Sequence, residues 1–95
     1  MVISLDYDNT YSCDRELWWQ VVKLAQARGH TVICVSGRDN VPLHRDALTK
    51  DLPPGLPIIL CDHLLKRAAA EKQGWKIDVW IDDTPEGIGE SRGGS

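Results

Sequence analysis

Apolar residues in this chain fall into four short runs, with helical patterns between them. Val2 to Leu5 predicts a buried strand that gives way abruptly to polar residues at Asp6. From Arg15 to Ala27, the residues Leu17, Trp18, Val21, Val22, Leu24 and Ala25 recur near the helical period and predict an amphipathic helix. Asp14 is placed to cap its start and Gly29 to stop it. Thr31 to Val35 is a β-branched strand, and Leu43 to Leu48 predicts a short helix ahead of the breaker Pro53-Pro54-Gly55. Pro57 to Cys61 predicts a third strand. Leu64 to Gln73 is an Ala-rich helix closed by Gly74, and Ile77 to Ile81 is a fourth strand.

Strands that alternate with helices imply a parallel sheet with helices on its faces. The expected fold is therefore α/β: a Rossmann-like three-layer αβα sandwich around a small parallel sheet of about four strands. The unbroken apolar character of the first, second and fourth runs suits strands buried on both faces. Residues 1–90 read as one domain, and the Gly/Ser-rich stretch 91–95 as a flexible tail.

Bulk composition narrows the function classes. The 95 residues carry 42% hydrophobic and 26% charged side chains, the balance of an ordinary globular domain. A chain this short buries roughly 60–65% of its unfolded surface, so the core is thin. A net charge of −3 leans against general nucleic-acid binding, leaving only a local basic rim of Arg38, Lys66 and Arg67. Cys13, Cys34 and Cys61 are odd in number and lack paired spacing, which argues against disulfides or a zinc knuckle. No run approaches the ~20 apolar residues of a membrane span, and no basic stretch precedes a hydrophobic one as in a signal peptide. The expected setting is cytoplasmic and reducing, with no membrane partner.

The chemistry gathers where strands end. In an open α/β sheet, ligands bind outside the carboxyl ends of the strands. The first strand ends in Asp6-Tyr7-Asp8-Asn9-Thr10, the second in Ser36-Gly37-Arg38, the third in Cys61-Asp62-His63 with Lys66 just beyond, and the fourth in Asp82-Asp83-Thr84. Residues i and i+2 of an extended segment point the same way, so Asp6 and Asp8 can leave the sheet side by side. If the first and fourth strands are neighbours, four carboxylates meet at one edge. A hard divalent cation such as magnesium makes that tolerable. Two acid pairs, a hydroxyl and a lysine suit metal-assisted phosphoryl transfer. One carboxylate attacks phosphorus, a second moves the proton, and the cations neutralise the transferring oxygens.

These motifs resemble those of the haloacid dehalogenase-like phosphatase superfamily. Its Asp-x-Asp-x-Thr, its Ser or Thr after the second strand, its helix-start Lys and its closing acid pair match Asp6-x-Asp8-x-Thr10, Ser36, Lys66 and Asp82-Asp83 in order. The resemblance implies Asp6 as nucleophile and magnesium ligand. Asp8 would be general acid/base and lend its backbone carbonyl to the metal. It implies Ser36 on a phosphoryl oxygen, Lys66 on nucleophile and phosphate, and Asp82 with Asp83 completing the metal site. Thr10, Ser36, Gly37 and Arg38 are the expected substrate contacts, and Mg2+ the expected cofactor. Asn9 stands where the family usually has Gly, and Asn tolerates the left-handed backbone that turn needs. No stretch is long enough for a cap domain, and the usual fifth strand is missing, which leaves a sheet edge that a homodimer could cover. Val35-Ser36-Gly37-Arg38 and Trp80-Ile81-Asp82-Asp83 also look like the phosphatase half of phage polynucleotide kinases. The implied substrate is a phosphomonoester, either a small molecule or a polynucleotide end.

Plainer readings stand beside these. The acid pairs could be solvated turn residues or helix caps, Ser36 could cap a loop, and Arg38 could be surface charge. Lys72 competes with Lys66 as the site lysine but sits at the far end of its helix. His30, His44 and His63 are scattered, and the four tryptophans are read as packing residues, with base stacking a minor role for Trp19. A catalytically weak magnesium- and phosphate-binding regulatory module is the alternative function. A phospho-acceptor receiver domain would need Asp62 as acceptor and leaves the Asp-x-Asp-x-Thr spacing unexplained.

Overall fold

A computed structural model describes residues 1–90; the expected tail, 91–95, lies outside the described residues. The chain forms β1 (Val2–Leu5), α1 (Arg15–Ala27), β2 (Thr31–Ser36), α2 (Pro42–Asp51), β3 (Ile58–Leu60), α3 (Lys66–Lys72) and β4 (Val79–Ile81), with one-turn 3₁₀ segments at Tyr11–Cys13 and Pro85–Gly87. The four strands make one parallel sheet in the order β3-β2-β1-β4. Leu5 is level with Cys34 on one side and Ile81 on the other.

Two apolar clusters sandwich the sheet. Val22 of α1 and Leu48 of α2 pack with Leu5, Val32, Cys34 and Leu60 on one face. Ala69 and Ala70 of α3 pack with Ile33, Val35, Ile59 and Cys61 on the other. Alternate residues of β2 thus serve opposite faces, which is why the whole strand is apolar. The fold is a small Rossmann-like αβα sandwich. Leu48 is fully buried, and truncating it to Ala would cost about 2–5 kcal/mol.

Several boundaries differ from the sequence expectation. α2 starts at Pro42, whose fixed φ suits a first helical turn, and runs to Asp51. Leu48 is its only buried residue, so its apolar signal is too sparse to show its length. α3 begins at Lys66, because Leu65 is extended (ψ 150°) and keeps Leu64 and itself in the preceding loop. On α1, Trp18, Val22 and Ala25 meet the core, but Leu17 and Leu24 are exposed, so the buried stripe is narrower than expected. β4 is a three-residue edge strand with Val79 exposed, not a strand buried on both faces.

The topology explains where a site can form. From β1 the chain moves outward through α1, β2, α2 and β3. It then returns through α3, on the other face, to β4 beside β1. The crevice beyond the carboxyl ends of β1 and β4 lies where the winding reverses, and an α/β sheet offers a ligand site there. Asp6 follows β1 and Asp82-Asp83 follows β4.

Candidate active site

The β1 exit is built by its own backbone. The Asp6 amide donates to the Ile81 carbonyl at 2.9 Å, continuing the ladder one residue past the strand. The chain then folds back, with the Tyr11 amide on the Asp6 carbonyl (3.2 Å) and the Ser12 amide on that of Tyr7 (3.0 Å). Asn9 takes the left-handed conformation (φ 61°) that this tight return requires. On the β4 side, one Asp82 oxygen accepts the Thr84 amide at 2.9 Å, fixing the carboxylate relative to the strand end.

Four charged side chains meet in the crevice. Asp6, Asp82 and Asp83 each offer a carboxylate oxygen within 4.8 Å of the others. Lys66 Nζ lies between two of them, 2.6 Å from Asp6 and in contact with Asp82. The Thr10 hydroxyl lies 3.2 Å from Asp6 and 3.4 Å from Asp83. Asp6, Thr10 and Lys66 are buried and Asp83 is exposed, so the group spans from core to solvent.

Electrostatics follow from that placement. Burial pushes the Asp6 carboxyl up to about 6, helped by the neighbouring Asp83 and opposed by Lys66. Asp83, in solvent, is held below the usual carboxylate range by its contact with Asp6. Two close acids separate in this way when one holds the shared proton. Burial disfavours the Lys66 ammonium, but hydrogen bonds to Asp6 and Asp82 outweigh it and raise the lysine above its ordinary value. Three carboxylates against one ammonium leave a negative excess. Hard oxygen donors in that excess fit a divalent cation such as magnesium, which takes one or two carboxylates plus waters and substrate oxygens.

Asp8 is differently engaged. Arg38 grips it with two parallel hydrogen bonds, Nε to Oδ2 at 2.9 Å and Nη2 to Oδ1 at 2.7 Å, while its guanidinium lies over the Tyr7 ring at 5.2 Å. That fork holds the Asp8 carboxyl below its usual range. A cavity of about 500 Å3 joins the two groups and is also lined by Asn9, Gly37, Leu64, Leu65, Thr84 and Gly87.

Of the sequence-nominated residues, the cavity gathers Asp6, Asp8, Gly37, Arg38, Lys66, Asp82 and Asp83. Thr10 stands behind the acids rather than on the cavity wall. Ser36 is fully buried and off the cavity wall, and its hydroxyl accepts the Arg38 amide at 3.2 Å, buttressing the Gly37-Arg38 turn. Lys72 is exposed at the end of α3, and Asp62 is exposed and outside the cavity. Trp19 is also outside it. Sequence reasoning missed Leu64 and Leu65. Their signal was two leucines at a strand-to-helix junction just ahead of a nominated lysine. No family model, curated protein or solved structure matches this chain. Among the described residues, no helix is long and apolar enough to cross a membrane.

Proposed function

We propose that the protein is a magnesium-dependent phosphomonoesterase that works through an aspartyl-phosphate on Asp6. The observation that carries this reading is the convergence of Asp6, Asp82 and Asp83, from opposite ends of the chain, around Lys66 at the sheet's switch point. The ordered resemblance of Asp6-x-Asp8-x-Thr10, Ser36, Lys66 and Asp82-Asp83 to haloacid dehalogenase-like phosphatases supports the same chemistry.

Asp6, Asp82 and Asp83 would hold the cation, with the Asp8 carbonyl as a further ligand. When bound, magnesium neutralises charge on the phosphoryl oxygens and on the nucleophile. Lys66 keeps Asp6 ionised and oriented. An Asp6 oxygen attacks phosphorus, the bond to the leaving oxygen breaks, and that oxygen takes a proton from Asp8. In the second step water attacks phosphorus, gives its proton to Asp8 and frees Asp6. Asp8 must carry a proton to begin, yet Arg38 favours its ionised form. A phosphoryl dianion competing for the Arg38 fork would release Asp8 and let it protonate. Thr10 braces the acids, and Ser36 holds the turn that presents Gly37 and Arg38.

The net charge of −3 gives a small ester precedence over a polynucleotide end, which leans on a basic track. Phosphate release from a panel of monoesters tests the reading. Turnover is expected with magnesium, and none with EDTA or in Asp6→Asn. Equal release by wild type and Asp6→Asn overturns it.

One observation favours a second reading. With Asp8 held by Arg38 and Ser36 turned inward, the site could bind magnesium and phosphate without appreciable turnover, as a regulatory module. Magnesium would then raise the melting temperature by linkage while product release stayed absent.

A further inference from the structure

The mouth of the cavity carries an apolar wall that the chemistry above does not use. Leu64 and Leu65 are 47% and 53% exposed, side by side, immediately before Lys66. Among the described residues, the other side chains on the cavity lining are polar or charged, or absent at glycine. Isolated exposed leucines are ordinary, but this pair stands against three carboxylates and is held in place. The chain after β4 crosses behind Leu65. There Gly89 (φ 94°) lies so near that a Cβ on it would come within 3.2 Å of the leucine side chain. Arg67 ties that crossing down, its amide donating to the Ile88 carbonyl at 2.7 Å and its Nε to the Gly89 carbonyl at 3.1 Å. The returning backbone thus backs Leu65, and Leu64 is anchored by its amide on the Cys61 carbonyl at 2.9 Å.

We infer that Leu64 and Leu65 select the leaving group, so that the site takes phosphomonoesters whose alcohol carries a flat aromatic or heteroaromatic ring. The inference rests on the phosphoryl reading of the same site. On that reading the dianion pairs with Lys66 and Arg38, and the substituent on the ester oxygen is left to meet the leucines that line the same cavity. A polyol there would lose water contacts against aliphatic surface without replacing them. A ring would bury apolar area on both partners, an effect of about tenfold in affinity for a half-covered ring.

Calorimetric binding of benzylphosphonate and methylphosphonate, in the presence of magnesium, reads the wall without any turnover. Wild type is expected to bind the benzyl compound about tenfold tighter, and Leu64→Ser with Leu65→Ser to reduce that ratio to below about threefold. A double Leu→Met variant, which retains an apolar wall, is expected to keep the preference. Benzyl alcohol esters of phosphate, nucleoside monophosphates and glycerol phosphate then separate aryl from nucleoside sources. Preferential benzylphosphonate binding without hydrolysis of any ester would sink the hydrolase reading and leave the wall standing. Equal binding of the two phosphonates, binding of neither, or a preference that survives in the double serine variant would overturn the inference.

Discussion

Two polar clusters flank β1, and they are built from similar parts to different balances. Around Asp51, at the end of α2, one carboxylate accepts Arg15 Nε at 2.8 and 2.9 Å and the Tyr7 hydroxyl, while the Tyr11 hydroxyl donates to its carbonyl at 2.9 Å. One negative charge meets one positive charge, and two hydroxyls complete the set. Around Asp6, three carboxylates gather with one buried lysine, which pairs with only two of them, Asp6 and Asp82. The first cluster is finished without a ligand and ties α2 to the β1 exit loop. The second is not. A balanced polar cluster contributes to folding; an unbalanced one at a switch point costs stability by itself and is a candidate binding site.

The sharpest contrast comes from removing one charge from each. Asp6→Asn is expected to lower turnover at least about 1,000-fold, as loss of a nucleophile does. In the metal-free protein it should leave the melting temperature unchanged or higher, since it relieves the negative excess. Steady-state kinetics and a thermal melt check both halves, and a large loss of stability would put Asp6 in the structural class with Asp51. Arg38→Ala is expected next in size, about a 100-fold loss in kcat/KM, with the alkaline limb of the pH profile moved upward as Asp8, which must start protonated, loses its partner. A profile that does not move would separate Asp8 from the proton transfer.

pH offers a third comparison. The Asp6 carboxyl lies at about 6 in the fold, against roughly 3.9 in an unfolded chain. Between those values the folded state holds a proton that the unfolded state lacks. Metal-free stability should therefore fall as pH rises from about 4 to 6, by an amount on the order of 2 kcal/mol, and level off above. Asp8, held low by Arg38, acts in the opposite sense and in a lower window, losing its contribution as pH falls below about 4. Magnesium must displace the Asp6 proton, so its stabilising effect should be small at about pH 5 and full by about pH 7. Melts with and without magnesium across that range measure it, and a magnesium effect flat in pH would contradict the raised Asp6. The smallest effect belongs to Asp51→Ala. Its cluster is partly exposed, so a loss of about 1–2 kcal/mol, with turnover within about threefold of wild type, is expected from urea titration and kinetics.

Much of this molecule was legible in its sequence because strand periodicity and strand ends carry strong signals. β1, α1 and β2 were readable to within a residue, since Val2 to Leu5, the Asp14 cap and the apolar run Val32 to Val35 leave few alternatives. α2 was not, because a helix with one buried residue has almost no periodicity to read. The burial of Ser36 was hidden for a different reason. A hydroxyl at a strand's carboxyl end looks the same whether it faces a ligand or its own backbone. Burial of Lys66 beside Asp6 needed the whole β4 return to be in place, and the apolar role of Leu64 and Leu65 emerged only once α3 was seen to start after them. Asp8's engagement by Arg38 spans thirty residues and two strands, beyond the reach of local pattern.

Asp6, Asp82 and Asp83 are proposed to hold one divalent cation jointly beside an attacking oxygen. Anomalous diffraction from crystals soaked in manganese tests it directly. The expected result is a single strong peak in contact with oxygens of all three residues, lost in Asp82→Asn. A peak elsewhere, or none at concentrations that support any phosphate release, would contradict it.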